Sequence, residues 1–552
     1  MTPRVGTLHL VEGKRFTYSF AGLAGATVLF CLSLTPSLLP RGYLFQGLVS
    51  GVLAATGYAL GTLSAWLAGQ VSGHRLPHPS RTARRVLTGL AAVAVVVSLV
   101  LGARWQDGIH RLVGVDPPPL IGYALVLPIA VPAAAGLVAL ARLLLRGARR
   151  LGTLFGRWIP PAAARVIAGL AVLTLLVGVL NGVVIRAAFS AADASFSTLN
   201  GETSTDVAAP ADPLRSGGPG SLVTWDSLGN QGRQFIGAGP DLGELRQFGG
   251  PGARPPVRVY IGLDAAESSR ERAALAVGEL RRTGAFERSV LCLITTTGTG
   301  WVNAQAADPL EYMYNGDTAL VATQYSYLPS PISFLVDKER ARAAGRDLFD
   351  QVYAVWSRMP RADRPKLLVF GESLGSFGTE AMFSGVEDIR NRTDGMLLVG
   401  PPFRNPLWGE LVAERDAGSR EVLPVYERGA TVRFAADPAG LGTPGTVWGS
   451  PRIVYLQYPS DPITWWSPRL MVSRPDWLEE PRGADVSPSF RWFPFVTFWQ
   501  VSADMAVSNS VPDGHGHNFG TAPTFAWAQI APPPGWTSAR TAALAELLAD
   551  EG

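Results

Sequence analysis

The chain has 552 residues, of which 47% are hydrophobic and only 17% charged, so it can bury more than one core. Residues 1–200 hold 17 Lys and Arg against four acids (Glu12, Asp107, Asp116, Asp193), a net of +13; the whole chain is +4, so residues 201–552 carry −9. A mildly acidic second part argues against a nucleic-acid-binding protein, whose footprint is a basic face on a soluble domain. Two cysteines, Cys31 and Cys292, rule out a disulfide framework and a Cys-rich zinc site, and no metal or cofactor is expected.

Five apolar stretches occupy the first part: Phe16–Leu39, Tyr43–Ala68, Val86–Ala103, Leu120–Leu140 and Val166–Ile185. Each approaches the ~20 residues that a helix needs to cross a hydrocarbon core. None contains Asp, Glu, Lys or Arg, which argues against an ion path or a proton relay. The first stretch is too long for a signal peptide and runs directly into the second. Arginines cluster in the second connection (Arg75, Arg81, Arg84, Arg85) and in the fourth (Arg142, Arg146, Arg149, Arg150, Arg157, Arg165), which makes these cytoplasmic together with the N-terminus. Five spans then place everything after Ile185 outside the cytoplasm. Gly47/Gly51 and Gly57/Gly61 are small-xxx-small pairs, read as close helix packing with dimerisation, hence a homo-oligomer, as the alternative. Pro128 and Pro132 are expected to kink the fourth helix. The first hairpin, Thr35-Pro-Ser-Leu-Leu-Pro-Arg-Gly42, lies on the outer side; Arg41 within it is a candidate contact for a lipid headgroup, the alternative being a tight turn.

Residues 191–256 are rich in Gly, Pro, Ser and Asp and read as a linker with one short helix near Leu242–Gln247. Strand-like and helix-like segments then alternate. Val257–Leu263, Ser289–Thr296, Ala319–Tyr325, Lys366–Phe370, Met396–Gly400 and Ile453–Tyr458 read as strands; Ala265–Arg282, Asp337–Arg358 and Ser376–Arg390 read as helices. Such alternation marks a mostly parallel sheet covered on both faces. The domains are therefore 1–190, a helical membrane domain; 191–256, a linker; and 257–552, an α/β domain.

Lys366-Leu-Leu-Val-Phe370 runs into Gly371-Glu-Ser-Leu-Gly375 and then into a helix. Strand, sharp turn and helix N-terminus together form the context of a nucleophile elbow, with Ser373 as nucleophile. A serine needs a base. Of six histidines, His9, His74, His78 and His110 belong to the first part, which leaves His515 and His517 in a Gly-rich loop. His517 is preferred, with His515 as the alternative. The acid is expected after a strand between nucleophile and base: Asp461 follows Arg452–Tyr458 and is preferred over Asp504 and Asp513. Two backbone N–H groups should receive the oxyanion, one at Leu374 and one in Thr295-Thr-Thr-Gly-Thr-Gly-Trp301, at Thr299. Gly298-Thr-Gly300 is not a dinucleotide loop, since no third glycine follows at the required spacing.

These residues resemble a known family, the membrane-anchored α/β-hydrolases of actinobacteria. The likeness is carried by Thr35-Pro-Ser-Leu-Leu-Pro-Arg41, Tyr312-Met-Tyr-Asn-Gly-Asp317, Gln324-Tyr-Ser-Tyr-Leu-Pro329, Gly371-Glu-Ser-Leu-Gly-Ser376, Pro459-Ser-Asp-Pro462 and Gly514-His-Gly-His517. It implies a multi-span domain followed by an α/β-hydrolase catalytic domain at the cytoplasmic membrane. One departure stands out: between Asp461 and His517 no final strand is visible, only a Trp/Pro-rich stretch (465–494) and an apolar, helical run from Val496 to Val507.

The expectation is a serine esterase, lipase or acyltransferase acting on acyl esters of envelope lipids or glycolipids at the outer face of the membrane. The other reading is a lipid-binding, transport or scaffold protein whose hydrolase domain no longer turns over. The aromatics from Trp465 to Trp499 either line an acyl pocket or fill a core.

Overall fold

The computed structural model describes residues 18–72, 79–155, 200, 207–328 and 338–551. The chain divides into two compact units. One comprises Met1–Thr35, Arg41–Asp107 and Pro118–Leu154; the other comprises Pro36–Pro40, Gly108–Pro117 and Phe155–Gly552.

The first unit contains α1 (Phe20–Ser33), α2 (Tyr43–Val71), most of α3 (Arg81–Leu112), a 3-10 turn at Leu120–Leu125 and most of α4 (Val126–Phe155). Among the described residues, three segments are long and apolar enough to cross a membrane: Tyr43–Val71, Arg81–Leu112 and Ile121–Gly147. On α3, Val86, Leu90, Val93, Val97 and Val100 recur at helical spacing and stay exposed. Such an apolar stripe is unfavourable in water and at home in lipid. The expectation of five spans is corrected in part. The helix in the first stretch has 14 residues and rises about 21 Å, short of the ~30 Å hydrocarbon core. It stops ahead of Pro36, which disfavours helical backbone at Thr35, and Pro36–Pro40 joins the other unit. The fifth stretch, Val166–Ile185, lies outside the described residues.

The small-xxx-small pairs serve packing within the unit. A Cβ on Gly57 would stand 2.2 Å from the Gly25 carbonyl oxygen and one on Gly61 2.2 Å from that of Ala21, so α2 rests directly on α1 backbone. Gly47 and Gly51 do the same towards α4, where a Cβ would meet Ile129 and Ala133 at 2.7 Å. Pro132 lies inside α4.

The second unit is built on a seven-stranded parallel sheet: β1 (Val257–Ile261), β2 (Val290–Thr295), β3 (Thr318–Thr323), β4 (Lys366–Glu372), β5 (Gly395–Val399), β6 (Val432–Ala435) and β7 (Arg452–Leu456), in the order β1-β3-β2-β4-β5-β7-β6. Nearly every strand residue is buried, as expected of a sheet covered on both faces. Thr295 of β2 pairs with Gly371 of β4, and Gly371 with Leu398 of β5, so the three central strands end level with one another. That shared carboxyl edge is where open α/β sheets place their chemistry.

Residues 207–256, expected as a linker, are instead built into this unit. Helices Gly229–Gly237 and Leu242–Gly249 cover the β1 side, the second opened by a reciprocal Asp241–Glu244 capping box. Arg258 of β1 fastens the first of them to helix Ala304–Met313: Nη1 donates to the Phe235 carbonyl (2.7 Å), Nε to Glu311 (2.9 Å), and Nη2 pairs with Asp308 and Glu311. Arg258 is fully buried, and its charge stands only because two carboxylates and a carbonyl surround it. The Gly and Pro content of 207–256 thus reflects tight turns between packed helices.

Among the described residues no strand lies between Asp461 and His517. Helix Val496–Asp504 and a 3-10 turn Met505–Val507 take the helical run expected there. Trp465, Trp477 and Phe490 are buried and touch ring to ring, so this part of the aromatic stretch is core.

Candidate active site

Ser373 sits between β4 and helix Leu374–Glu380 with φ 53° and ψ −125°. Positive φ is rare for a residue with a side chain and marks a strained turn. Three bonds hold it there. Its N–H donates to the Val399 carbonyl at the end of β5 (2.8 Å), and its own carbonyl accepts from the Ser376 N–H (2.9 Å) and hydroxyl (2.6 Å). The flanking glycines have a steric reason. A Cβ on Gly375 would lie 2.3 Å from the Thr295 carbonyl oxygen, and one on Gly371 2.5 Å from that of Gly375. Helix 374–380 therefore seats against strand ends at a distance that only glycine allows.

Asp461 and His517 form a buried pair. Oδ2 of Asp461 lies 2.7 Å from His517 Nδ1 and also accepts from the Thr464 hydroxyl (3.3 Å); Oδ1 accepts from the Ile463 N–H (2.8 Å) as the N-cap of helix Pro462–Trp465. One carboxylate thus starts a helix and orients the imidazole, with Nδ1–H donating to it. His517 Nε2 is buried and takes no hydrogen bond among the described residues. The ring reaches the carboxyl edge of β5: a Cβ placed on Gly400, next to the Val399 that binds Ser373 N–H, would stand 2.3 Å from His517 Cε1. Its backbone N–H is held by the Ser508 carbonyl (2.9 Å), and its ring stands nearly perpendicular to that of Phe519.

The alternatives fall elsewhere. His515 lies 3.5 Å from Asp485, which itself accepts from the Ser460 hydroxyl. Asp513 is exposed, and Asp504 is buried on the Pro36–Pro40 segment. Leu374 opens the elbow helix, where first-turn N–H groups lack helical partners. The elbow touches the β2 loop at Thr295 and Thr296, whose carbonyls face Gly375. Thr299 is fastened further along, its carbonyl accepting from Gln324 Nε2 (2.9 Å), and the Thr297 N–H is spent on Trp301 (3.1 Å). Arg41, the candidate headgroup contact, is in the first unit and buried, its N–H donating to Gln106 (2.9 Å).

Two residues at the site were missed in the sequence. Glu372, the variable position before the nucleophile, is buried and accepts from Asn303 Nδ2 (2.9 Å). Asn303 is fixed in turn, because its Oδ1 caps helix Ala304–Met313 through the Gln305 N–H (3.0 Å). Burial pushes the Glu372 carboxyl upward, with His517 and the Asn303 bond pulling it back. Burial also disfavours the His517 imidazolium, but Asp461, and then Glu372, outweigh it and hold His517 above the ordinary imidazole range. A charged residue inside an apolar elbow was the one available signal for Glu372; nothing in the sequence links it to Asn303.

A parallel sheet with a strained serine at its central carboxyl edge, and an Asp–His pair delivered there by later loops, is the architecture of an α/β-hydrolase. Residues 257–544 match the model of an alpha/beta-hydrolase family, and residues 34–240 match the model of that family's N-terminus; the chain belongs to this family. Comparisons with curated proteins and with solved structures return no match.

Proposed function

We propose that the protein is a membrane-bound serine hydrolase or acyltransferase that cleaves acyl esters of envelope lipids on the outer side of the cytoplasmic membrane. The observation that carries this reading is the 2.7 Å Asp461–His517 pair, whose second ring nitrogen takes no hydrogen bond among the described residues and whose ring stands at Gly400, next to the Val399 carbonyl that holds the Ser373 N–H. Ser373 Oγ attacks the ester carbonyl while His517 Nε2 takes its proton. Asp461 keeps the ring in the correct tautomer and stabilises the imidazolium. The oxyanion is received by the Leu374 N–H and by the Thr299 N–H. His517 returns its proton to the leaving alkoxide, and water or a sugar hydroxyl then resolves the acyl-enzyme.

Three apolar helices support a membrane location, and the arginine distribution supports the orientation. The substrate class is tested by comparing the envelope lipids of a strain carrying Ser373→Ala with those of wild type. One acylated lipid should accumulate with its deacylated or transacylated product missing. An unchanged lipid profile would sink the lipid assignment and leave esters outside the membrane as substrates.

A further inference from the structure

The segment between α1 and α2 belongs to the hydrolase unit, and its contacts converge on one place. Leu38 and Leu39 are fully buried in the same hydrophobic core as the strands of the sheet. The Leu38 N–H donates to Asp504 Oδ2 (3.1 Å) and the Ser37 hydroxyl to Asp504 Oδ1 (3.2 Å), so one fully buried carboxylate grips the segment with both oxygens. Asp504 ends the helix Val496–Asp504. The 3-10 turn Met505–Val507 follows directly, and the next carbonyl, that of Ser508, accepts the His517 N–H (2.9 Å). From the other side, a Cβ on Gly516 would meet the Ser508 carbonyl oxygen at 2.6 Å and Leu39 Cδ1 at 3.3 Å, so Leu39 lies against the backbone one residue before the histidine. Ser460, next to Asp461, receives the Gly516 N–H (2.8 Å).

We infer that Pro36–Pro40 is a positioning strap for the base of the proposed hydrolase site. Ser37, Leu38 and Asp504 fix one anchor of the His517 loop, and Leu39 fills the space behind the other. Ser37, Leu39 and Asp504 are thus positioning residues that act through the orientation of His517. A loop joining two apolar helices has no need to hide two leucines and satisfy a buried carboxylate in another core, since a polar turn would close the hairpin. The arrangement makes catalytic competence depend on the first hairpin: when the strap leaves its seat, buried Asp504 loses the Leu38 N–H and the Ser37 hydroxyl, and the turn carrying His517 loses its backing.

The inference rests on the serine-hydrolase reading, and the test separates the two. Full-length wild type, Ser37→Ala, Leu39→Ala, Leu39→Met, Asp504→Asn and Ser373→Ala are purified in detergent. Each is followed by fluorophosphonate labelling, by p-nitrophenyl butyrate hydrolysis and by thermal melting. A misplacement near 1 Å costs roughly a hundredfold in turnover. Leu39→Ala and Asp504→Asn should therefore lower kcat and the labelling rate by roughly ten- to a hundredfold with KM unchanged. Leu39→Met, which keeps the volume, should restore most of kcat. Ser37→Ala removes the hydroxyl but leaves the Leu38 N–H on Asp504, and should show a smaller loss of kcat with a cooperative melt. Should Leu39→Ala fail to fold, Ser37→Ala and Asp504→Asn carry the test. Wild-type kcat in cooperatively melting Ser37→Ala and Asp504→Asn would overturn the strap while leaving the hydrolase intact. A wild-type protein that takes no label at Ser373 would overturn the hydrolase reading and the strap's catalytic role with it.

Discussion

Gly400 offers a measurable test of where the base stands. It follows β5 with φ +55°, its N–H donating to the Leu456 carbonyl (2.8 Å), and an added Cβ would stand 2.3 Å from His517 Cε1 and 2.8 Å from Nδ1. Non-bonded carbons need about 3.5 Å, so in Gly400→Ala the imidazole must retreat by about 1.2 Å, or the strand end must move instead. Either motion strains the 2.7 Å bond to Asp461 and swings Nε2 away from the elbow. Left-handed backbone costs an alanine roughly 1–2 kcal/mol, a fraction of the ~5–15 kcal/mol that holds a domain together. The variant should fold with a lower melting temperature. Its kcat for a short soluble ester, and its labelling by a fluorophosphonate, should fall about a hundredfold with KM little changed. A cooperative melt with kcat within about twofold of wild type would refute the placement of His517 as base.

Three further outcomes follow from the structure. His517 acts only when neutral and its imidazolium is favoured by Asp461 and Glu372, so the acidic limb of kcat/KM should lie above the ordinary ~6.5 of imidazole. Glu372→Gln removes one of those charges and should move the limb to lower pH; an unmoved limb would mean that Glu372 is uncharged where His517 titrates. With Cys31 and Cys292 replaced by alanine, Ala417→Cys should react with a membrane-impermeant thiol reagent in intact cells and Ser80→Cys should not, both positions being exposed; the opposite pattern would reverse the orientation. A fragment beginning at Val257 should fail to melt cooperatively, because it lacks Leu38, Leu39, Leu228, Phe235, Ile236 and Leu245 of the core and leaves Arg258 without the Phe235 carbonyl; a soluble, cooperatively melting fragment would contradict this packing.

Much of the sheet was legible because parallel strands buried on both faces appear as unbroken apolar runs, as in Val290–Thr295 and Lys366–Phe370. Strand β6 escaped because it has four residues, lies at the edge and carries Arg433 in its middle. The elbow was legible because its strand, turn and helix are contiguous. The partners of Ser373 were nameable from residue type and chain order, whereas the choice of His517 over His515 depends on which of Asp461 and Asp485 each histidine meets, a tertiary fact. Leu38 and Leu39 were read as the end of a membrane span because a bilayer and a protein core select the same side chains; only the contacts with Asp504 and Gly516 tell the two apart. The short helix expected near Leu242–Gln247 is there as Leu242–Gly249, opened by the Asp241–Glu244 capping box, whereas helix Gly229–Gly237 was obscured because three of its nine residues are glycine.

The most direct test of the central claim is covalent capture of Ser373. The full-length protein in detergent is treated with a fluorophosphonate, and the modified peptide is located by mass spectrometry. The site predicts a single stoichiometric adduct on Ser373, absent in Ser373→Ala and slowed by orders of magnitude in His517→Ala, because a serine hydroxyl is a poor nucleophile without its base. No adduct on a cooperatively folded wild-type protein, or equal labelling of Ser373→Ala, would contradict the account.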